Sequence, residues 1–143
     1  MRFYWSLEMK KVLVAGSFEL LHSGHLNLFK QAKELGDFLV VIVARDSSVK
    51  KMKGRPAFVA ENERLEIVSA LKTVDKARLG NLENQFLVLS EERPDVLLLG
   101  YDQVVDENAL RTQCRDLKIE VKRAVAFNEK EFKSSILAKK VGL

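Results

Sequence analysis

Phe38-Leu39-Val40-Val41-Ile42-Val43-Ala44 runs for seven residues without a polar side chain. A strand with one wet face alternates apolar and polar positions, so a run that never alternates must be covered on both faces. That is the condition of a strand in a parallel sheet with helices packed on either side. Asp95-Val96-Leu97-Leu98-Leu99-Gly100 has the same character, and Lys11-Val12-Leu13-Val14-Ala15, ending at Gly16, is a shorter case. Between these runs the period changes. Leu28, Ala32 and Leu35 fall at i, i+4 and i+7 on a helix over 24–35 that Gly36 ends. A second helix carries Leu65, Val68 and Leu71 inward. A third bears Leu82, Phe86 and Leu89 and closes at Pro94, and a fourth, capped by Asp106, bears Leu110, Cys114 and Leu117. Residues 74–79 form a weaker strand stopped by Gly80-Asn81, and 118–126 alternates as an edge strand. Ser134 or Ser135 caps a closing helix. Residues 45–60, with Gly54 and Pro56, read as a polar, basic connection. This alternation predicts an α/β fold: one doubly wound, Rossmann-like parallel sheet of five strands with helices on both faces.

The 143 residues suit one domain. Leu, Ile, Val and Phe make up 49 of them, well above the ~20% below which chains fail to build a core. No apolar run approaches the ~20 residues needed to span a bilayer. No charged-then-apolar leader opens the sequence, so a cytoplasmic location is expected. One Cys excludes an internal disulfide and a Cys-cluster metal site. Residues 1–8 precede the first strand and fit no element, so they read as an N-terminal extension to a single domain over 9–143. The net charge of +4 is mostly interspersed along amphipathic segments. The exception is Lys50-Lys51-Met52-Lys53-Gly54-Arg55, with four positive charges in six residues. Such a cluster attracts phosphate, but it lacks the interleaved aromatics of a single-strand binder, so nucleic acid is not the expected partner.

Open parallel sheets bind ligands beyond the carboxyl ends of their strands, where strand order reverses. The unusual residues of this chain all lie at those ends. Gly16-Ser17-Phe18-Glu19-Leu20-Leu21-His22-Ser23-Gly24-His25 follows the first strand and leads into a helix. Arg45-Asp46 and the basic cluster follow the second, and Gly100-Tyr101-Asp102-Gln103 follows the fourth. The only two histidines, His22 and His25, stand three apart at a helix entrance, which places both imidazoles on one side of its first turn. Gly24 lets an anion approach the backbone, and the helix amino end offers free N–H groups. Helix capping explains one of these features and zinc another, the latter without a further Cys or His ligand. Phosphate binding explains all of them.

The 16–25 stretch resembles the H-x-G-H signature of the cytidylyltransferase-like nucleotidyltransferases. The resemblance runs through Lys50 to Arg55, Arg64-Leu65-Glu66-Ile67-Val68 and Leu99-Gly100-Tyr101-Asp102-Gln103, and ends at Lys133-Ser134-Ser135-Ile136, in the place of the family's second, hydroxyl-rich signature. Within that family, Val43-Ala44-Arg45-Asp46 and Gly100-Tyr101-Asp102-Gln103 are most similar to the archaeal-type FAD synthases. Two positions depart from the pattern: Glu19 where the family usually has Asp, and Lys133 where many members have Ser or Thr.

The resemblance implies transfer of a nucleoside monophosphate from a triphosphate to a phosphate acceptor, with release of pyrophosphate. Its most specific form is ATP and FMN giving FAD, with Mg²⁺ carried on the triphosphate, no protein metal site, no nucleic acid and no membrane. A homodimer is expected. The alternatives are glycerol-3-phosphate cytidylyltransferase, or another sugar-phosphate nucleotidyltransferase using CTP or ATP, and a non-catalytic nucleotide-binding regulator. A regulator has no need of an intact His22, Gly24 and His25. In this picture His22 and His25 are catalytic. Gly16, Ser17, Phe18, His22, Gly24, His25, Asp102, Ser134 and Ser135 bind nucleotide. Lys51, Lys53, Arg64 and Lys133 serve the phosphates or the acceptor. Each has a plainer reading: a solvated loop for Lys51 and Lys53, a surface ion pair for Arg64, a turn residue for Asp102, helix caps for Ser134 and Ser135. FMN also demands a flat slot beside the basic cluster, for which Met52, Phe58 and Phe127 are the candidates.

Overall fold

A computed structural model of the chain describes residues 3–4, 7–127, 139 and 142. The five-stranded sheet expected from the sequence is present. Its strands are β3 (Lys11–Gly16), β4 (Phe38–Val43), β5 (Lys76–Leu79), β6 (Val96–Leu99) and β7 (Glu120–Arg123), all parallel and ordered β5-β4-β3-β6-β7. Alternate residues of the central strands face opposite sides. Val12, Val14, Leu39, Val41, Val43, Val96 and Leu98 pack with Phe29, Ala32 and Val68 on one side. Leu13, Val40, Ile42, Leu97 and Leu99 pack with Val88, Leu89, Leu110 and Cys114 on the other. Both faces are therefore dry, as the unbroken apolar runs require. The helices that cover them are α1 (Ser23–Leu35), α3 (Glu61–Ser69), α4 (Leu87–Glu92) and α5 (Glu107–Asp116). Strand order reverses at β3: the chain first builds outward to β4 and β5, then returns to the other side of β3 for β6 and β7. The carboxyl ends of β3 and β6 flank that switch point.

Several expectations are corrected. The polar connection over 45–60 contains a helix, α2 (Asp46–Lys53). Val49 is its one buried residue, so it carries no apolar stripe. Its signals are instead at its ends. Asp46 lies in the first turn and Lys50, Lys51 and Lys53 in the last, matching the helix dipole. Gly54 follows with φ of 71° and returns its N–H to the Lys50 carbonyl, a left-handed stop that favours glycine. The third expected helix begins later than its periodicity suggests. Asn84 accepts the Phe86 N–H with its side-chain oxygen (2.9 Å), which turns the chain before α4 and leaves Leu82 exposed. Near the start of the chain, β1 (Phe3–Tyr4) pairs antiparallel with β2 (Leu7–Glu8), where no element was expected. Two-residue strands are too short to show alternation in sequence. The Asp106 cap is present, accepting the Ala109 N–H at 3.1 Å, and β7 lies at the sheet edge.

At the amino end of the sheet a buried carboxylate binds two strands to α4. Glu92 accepts from Lys11 (3.0 Å), which opens β3, and from Lys76 (2.9 Å), which opens β5, as well as from Arg78 (3.1 Å). Burial alone would raise its pKa, but hydrogen bonds from Lys76, Lys11 and Arg78 outweigh that and hold it at about 2, against an ordinary 4.5. A depressed carboxyl stabilises the fold above its unfolded pKa and ceases to do so as pH falls through its folded one. Glu92→Gln is therefore expected to destabilise the protein by roughly 3 kcal/mol at pH 7, from ~1.4 kcal/mol per pKa unit. Urea unfolding at a series of pH values checks this: the gap between wild type and variant must narrow as pH drops below 4.5 toward about 2.

Candidate active site

The loop leaving β3 is shaped by Gly16 and Phe18. A Cβ on Gly16 would lie 2.8 Å from Phe18 Cζ, so only glycine lets the ring settle there. Phe18 adopts φ of 51°, a conformation L residues rarely take. That turn points its side chain inward, where it meets Phe29 (centroids 5.4 Å apart) and, in a T-shaped contact, His25 (5.3 Å). Phe18 thus supports His25 from beneath, and only its backbone is left to meet a ligand.

The two histidines cap α1 reciprocally. His22 is the N-cap, and its Nδ1 accepts the Gly24 N–H at 3.1 Å. His25 reaches back, its Nδ1 accepting the His22 N–H at 3.3 Å. This is the capping-box geometry, built from imidazoles in place of hydroxyl and carboxylate groups. An Nδ1 that accepts carries no proton, so in each neutral ring the proton sits on Nε2. The ring centroids are 3.9 Å apart. Burial lowers the pKa of His22 below its ordinary 6.5. Burial, with the charges of His22 and Lys53, pushes His25 down to about 3. Both rings are neutral donors at pH 7, a state that sequence left open.

The basic cluster divides into separate environments. Lys53 extends from the end of α2 to Glu19 Oε2 (2.7 Å) and Ser17 Oγ (3.3 Å). Arg55 grips the same carboxylate with two nitrogens, each at 3.0 Å, and the Phe58 N–H donates to it at 3.0 Å. Burial would raise the pKa of Glu19, but the bonds from Arg55, Lys53 and the Phe58 amide bring it to about 2. Lys51 lies exposed on α2. Arg64 departs from its expected place at the phosphates. It is buried, with Nε donating to the Val59 carbonyl (2.8 Å), one terminal nitrogen to Ser17 and Ala44 carbonyls (2.7 Å each), and the other to Asp46 (2.7 Å). Its hydrogen-bonding capacity is directed into the fold, where it braces the loops after β3 and β4.

Across the switch point, Gly100-Tyr101-Asp102-Gln103 forms a closed turn. Gln103 donates its N–H to the Gly100 carbonyl (3.1 Å), and its side-chain oxygen accepts the Gly100 N–H (3.0 Å). Asp102 is exposed in this turn. Arg123, at the end of β7, holds the turn from outside by donating to the Gly100 and Gln103 carbonyls (2.9 and 3.0 Å) and to Glu107 (3.1 Å). Neither this brace nor the role of Glu19 is visible in sequence, because each depends on strands that meet only in the sheet. Lys133, Ser134 and Ser135 lie outside the described residues.

The cytidylyltransferase-like family matches residues 13–140. The chain belongs to that family. It is 46% identical over 129 residues to the FAD synthase of Ferroglobus placidus, covering 89% of this chain and 84% of that one. It is 46% identical over 123 residues to the FAD synthase of Methanothrix thermoacetophila, covering 86% and 84%. Among solved structures, the lipopolysaccharide core biosynthesis protein from Thermoplasma volcanium superposes with a TM-score of 0.79 at 38% identity, covering 85% of this chain and all of that one. The nucleotidyltransferase reading of the fold and of the enzyme class therefore holds.

At the end of β3 the structure brings together the His22–His25 pair at the start of α1 and, through its contact with Ser17, the Lys53 ammonium. Among the described residues no three His, Cys, Asp or Glu side chains gather as metal ligands, and the Glu19 carboxylate is already occupied by cations. No helix among the described residues is long and apolar enough to cross a membrane. The capping box fixes a testable protonation state. A ¹H–¹⁵N correlation spectrum at pH 7 is expected to show both Nδ1 atoms unprotonated and both Nε2 atoms protonated. His25 is expected to keep that signature when the pH is taken from 8 to 5, and a titration midpoint near 6.5 would contradict the geometry.

Proposed function

We infer that this chain is an FMN adenylyltransferase, transferring AMP from ATP to FMN to give FAD and pyrophosphate. The observation that carries the reading is the pair of neutral, Nε2–H histidines at the switch point of a chain 46% identical to an FAD synthase. An oxygen of the FMN phosphate attacks the α-phosphorus of ATP. One P–O bond forms, the bond to the bridging oxygen breaks, and pyrophosphate leaves with its electron pair. The second pKa of a phosphate monoester is near ~6, so the nucleophile is already ionised at pH 7 and needs no general base.

The barrier lies in bringing two polyanions together and stabilising charge on the transferred group. His22 and His25 each donate an Nε2–H to phosphate oxygens and remain neutral throughout. Neutral donors need no proton exchange with solvent, and their orientation is set by the capping box before substrate arrives. The backbone of Gly16, Ser17 and Phe18 receives the triphosphate, and Gly24, whose own N–H is taken by His22, leaves room beside the start of α1 for it. Lys53 exchanges part of its interaction with Glu19 for phosphate, while Lys51 adds long-range attraction from the surface. Asp102 in its braced turn faces the nucleoside, and Lys133, Ser134 and Ser135 complete the phosphate contacts. Mg²⁺ enters as part of the substrate, on the triphosphate, where it neutralises charge. With ATP as donor, the activity belongs in the cytoplasm.

The test mixes enzyme, ATP, Mg²⁺ and FMN and follows FAD by chromatography. FAD is expected, whereas CTP with glycerol 3-phosphate is expected to give no CDP-glycerol; the reverse result would reassign the acceptor. His22→Ala and His25→Ala are each expected to lower kcat by ~10²–10³ with a much smaller change in the KM for ATP. Circular dichroism of each variant checks that α1 survives loss of its cap.

A further inference from the structure

The Arg55 side chain is held more rigidly than a phosphate-seeking arginine requires. Its guanidinium carbon lies 3.8 Å from the centroid of the Phe58 ring. At that distance the cation sits over the ring in a cation–π contact. Within its plane, both terminal nitrogens are fixed on the two oxygens of Glu19 at 3.0 Å, and one also donates to the Pro56 carbonyl at 3.0 Å. The Phe58 N–H closes the loop on the same carboxylate. Glu19 itself has no side-chain surface exposed. The plane is thus set from below by Phe58 and at its edge by Glu19. Yet the Arg55 side chain is still 33% exposed. None of these contacts lies on the guanidinium face turned away from Phe58.

We propose that this outer face of Arg55 is the stacking platform for the isoalloxazine ring of the acceptor. The proposal rests on FMN being the acceptor, and it names the part of the chain that recognises the ring. A guanidinium face attracts a planar π-system, and one already fixed in place gives up little side-chain freedom on binding. Its position suits the geometry of FMN, in which the ribityl chain separates ring from phosphate. Arg55 shares Glu19 with Lys53, and Lys53 reaches Ser17 in the loop that carries the histidines. The ring site therefore adjoins the phosphate site without occupying it. Of the residues that sequence suggested for a flavin slot, Phe58 has Arg55 on one face and acts as support. Met52, exposed one residue before Lys53, is available to flank the ring. A small polyol phosphate has no ring to place on this platform, so Arg55 also discriminates between acceptor classes.

Arg55→Lys keeps the positive charge near Glu19 and removes the plane, while Phe58→Leu removes the support beneath it. The readouts are steady-state constants for FMN and ATP and the inhibition constant of riboflavin, which carries the ring without the phosphate. Both variants are expected to raise the KM for FMN and the riboflavin inhibition constant together, by roughly tenfold, the scale of a stacking contact. The KM for ATP is expected to stay within about twofold, a split that general loosening of the loop would not give. Unchanged FMN and riboflavin constants in both variants would overturn the platform, as would an equal rise in the KM for ATP, which would place Arg55 on the triphosphate. Absence of FAD formation by the wild-type enzyme would instead overturn the choice of acceptor, so the two failures are distinct. If Arg55→Lys does not fold, Phe58→Leu alone decides the matter by the same comparison.

Discussion

The guanidinium of Arg64 is the interaction on which the site's shape depends. It lies wholly inside the protein and donates to carbonyls of Ser17, Ala44 and Val59 and to Asp46. Those groups belong to the loop after β3, the end of β4, the approach to α3 and the start of α2. One planar cation therefore ties four segments on the nearer side of the switch point to one another. Three of its four acceptors are backbone carbonyls, each from a different segment of the chain. No neutral side chain offers several donors in a fixed fork, and a lysine ammonium could not span carbonyls so disposed.

On that frame, charge is distributed by two buried carboxylates at opposite ends of the sheet. Glu92 anchors the amino end and faces three cations from two strands. Glu19 lies at the carboxyl end, and its cations Lys53 and Arg55 come from the end of α2 and the turn beyond it. The chemical motif is the same and the consequences differ. At the amino end the cations are consumed in holding strands together. At the carboxyl end they stand beside the crevice, where Glu19 keeps Lys53 within reach of Ser17. A carboxylate with a pKa near 2 remains charged at every physiological pH, so these cations stay in place before any ligand arrives.

The histidines show a different economy of design. The same imidazole nitrogens that satisfy the orphan N–H groups of α1 fix which ring atom carries the proton. Capping and the chemistry of the site are thus one arrangement. The helix could not be capped in this way by protonated rings, because a protonated Nδ1 donates and cannot accept.

Much of this could be read from the sequence. Unbroken apolar runs at 38–44 and 95–100 demanded a sheet covered on both faces, because no other arrangement dries both sides of a strand. The two histidines flanking a glycine marked the start of α1, because helix amino ends are specified by local residues. The tertiary structure alone decided what depends on elements distant in sequence. It turned Arg64 inward, because carbonyls from three segments converge there and a buried guanidinium needs acceptors for its donors. It made a helix of residues 46–53, whose single buried side chain, Val49, gains its apolar surroundings only when the sheet is formed. It set the protonation of His22 and His25, since burial, and not residue type, determines where an imidazole titrates. And it laid Arg55 on Phe58 by fastening both to Glu19, 36 and 39 residues away, a distance over which local sequence has no means of specifying geometry.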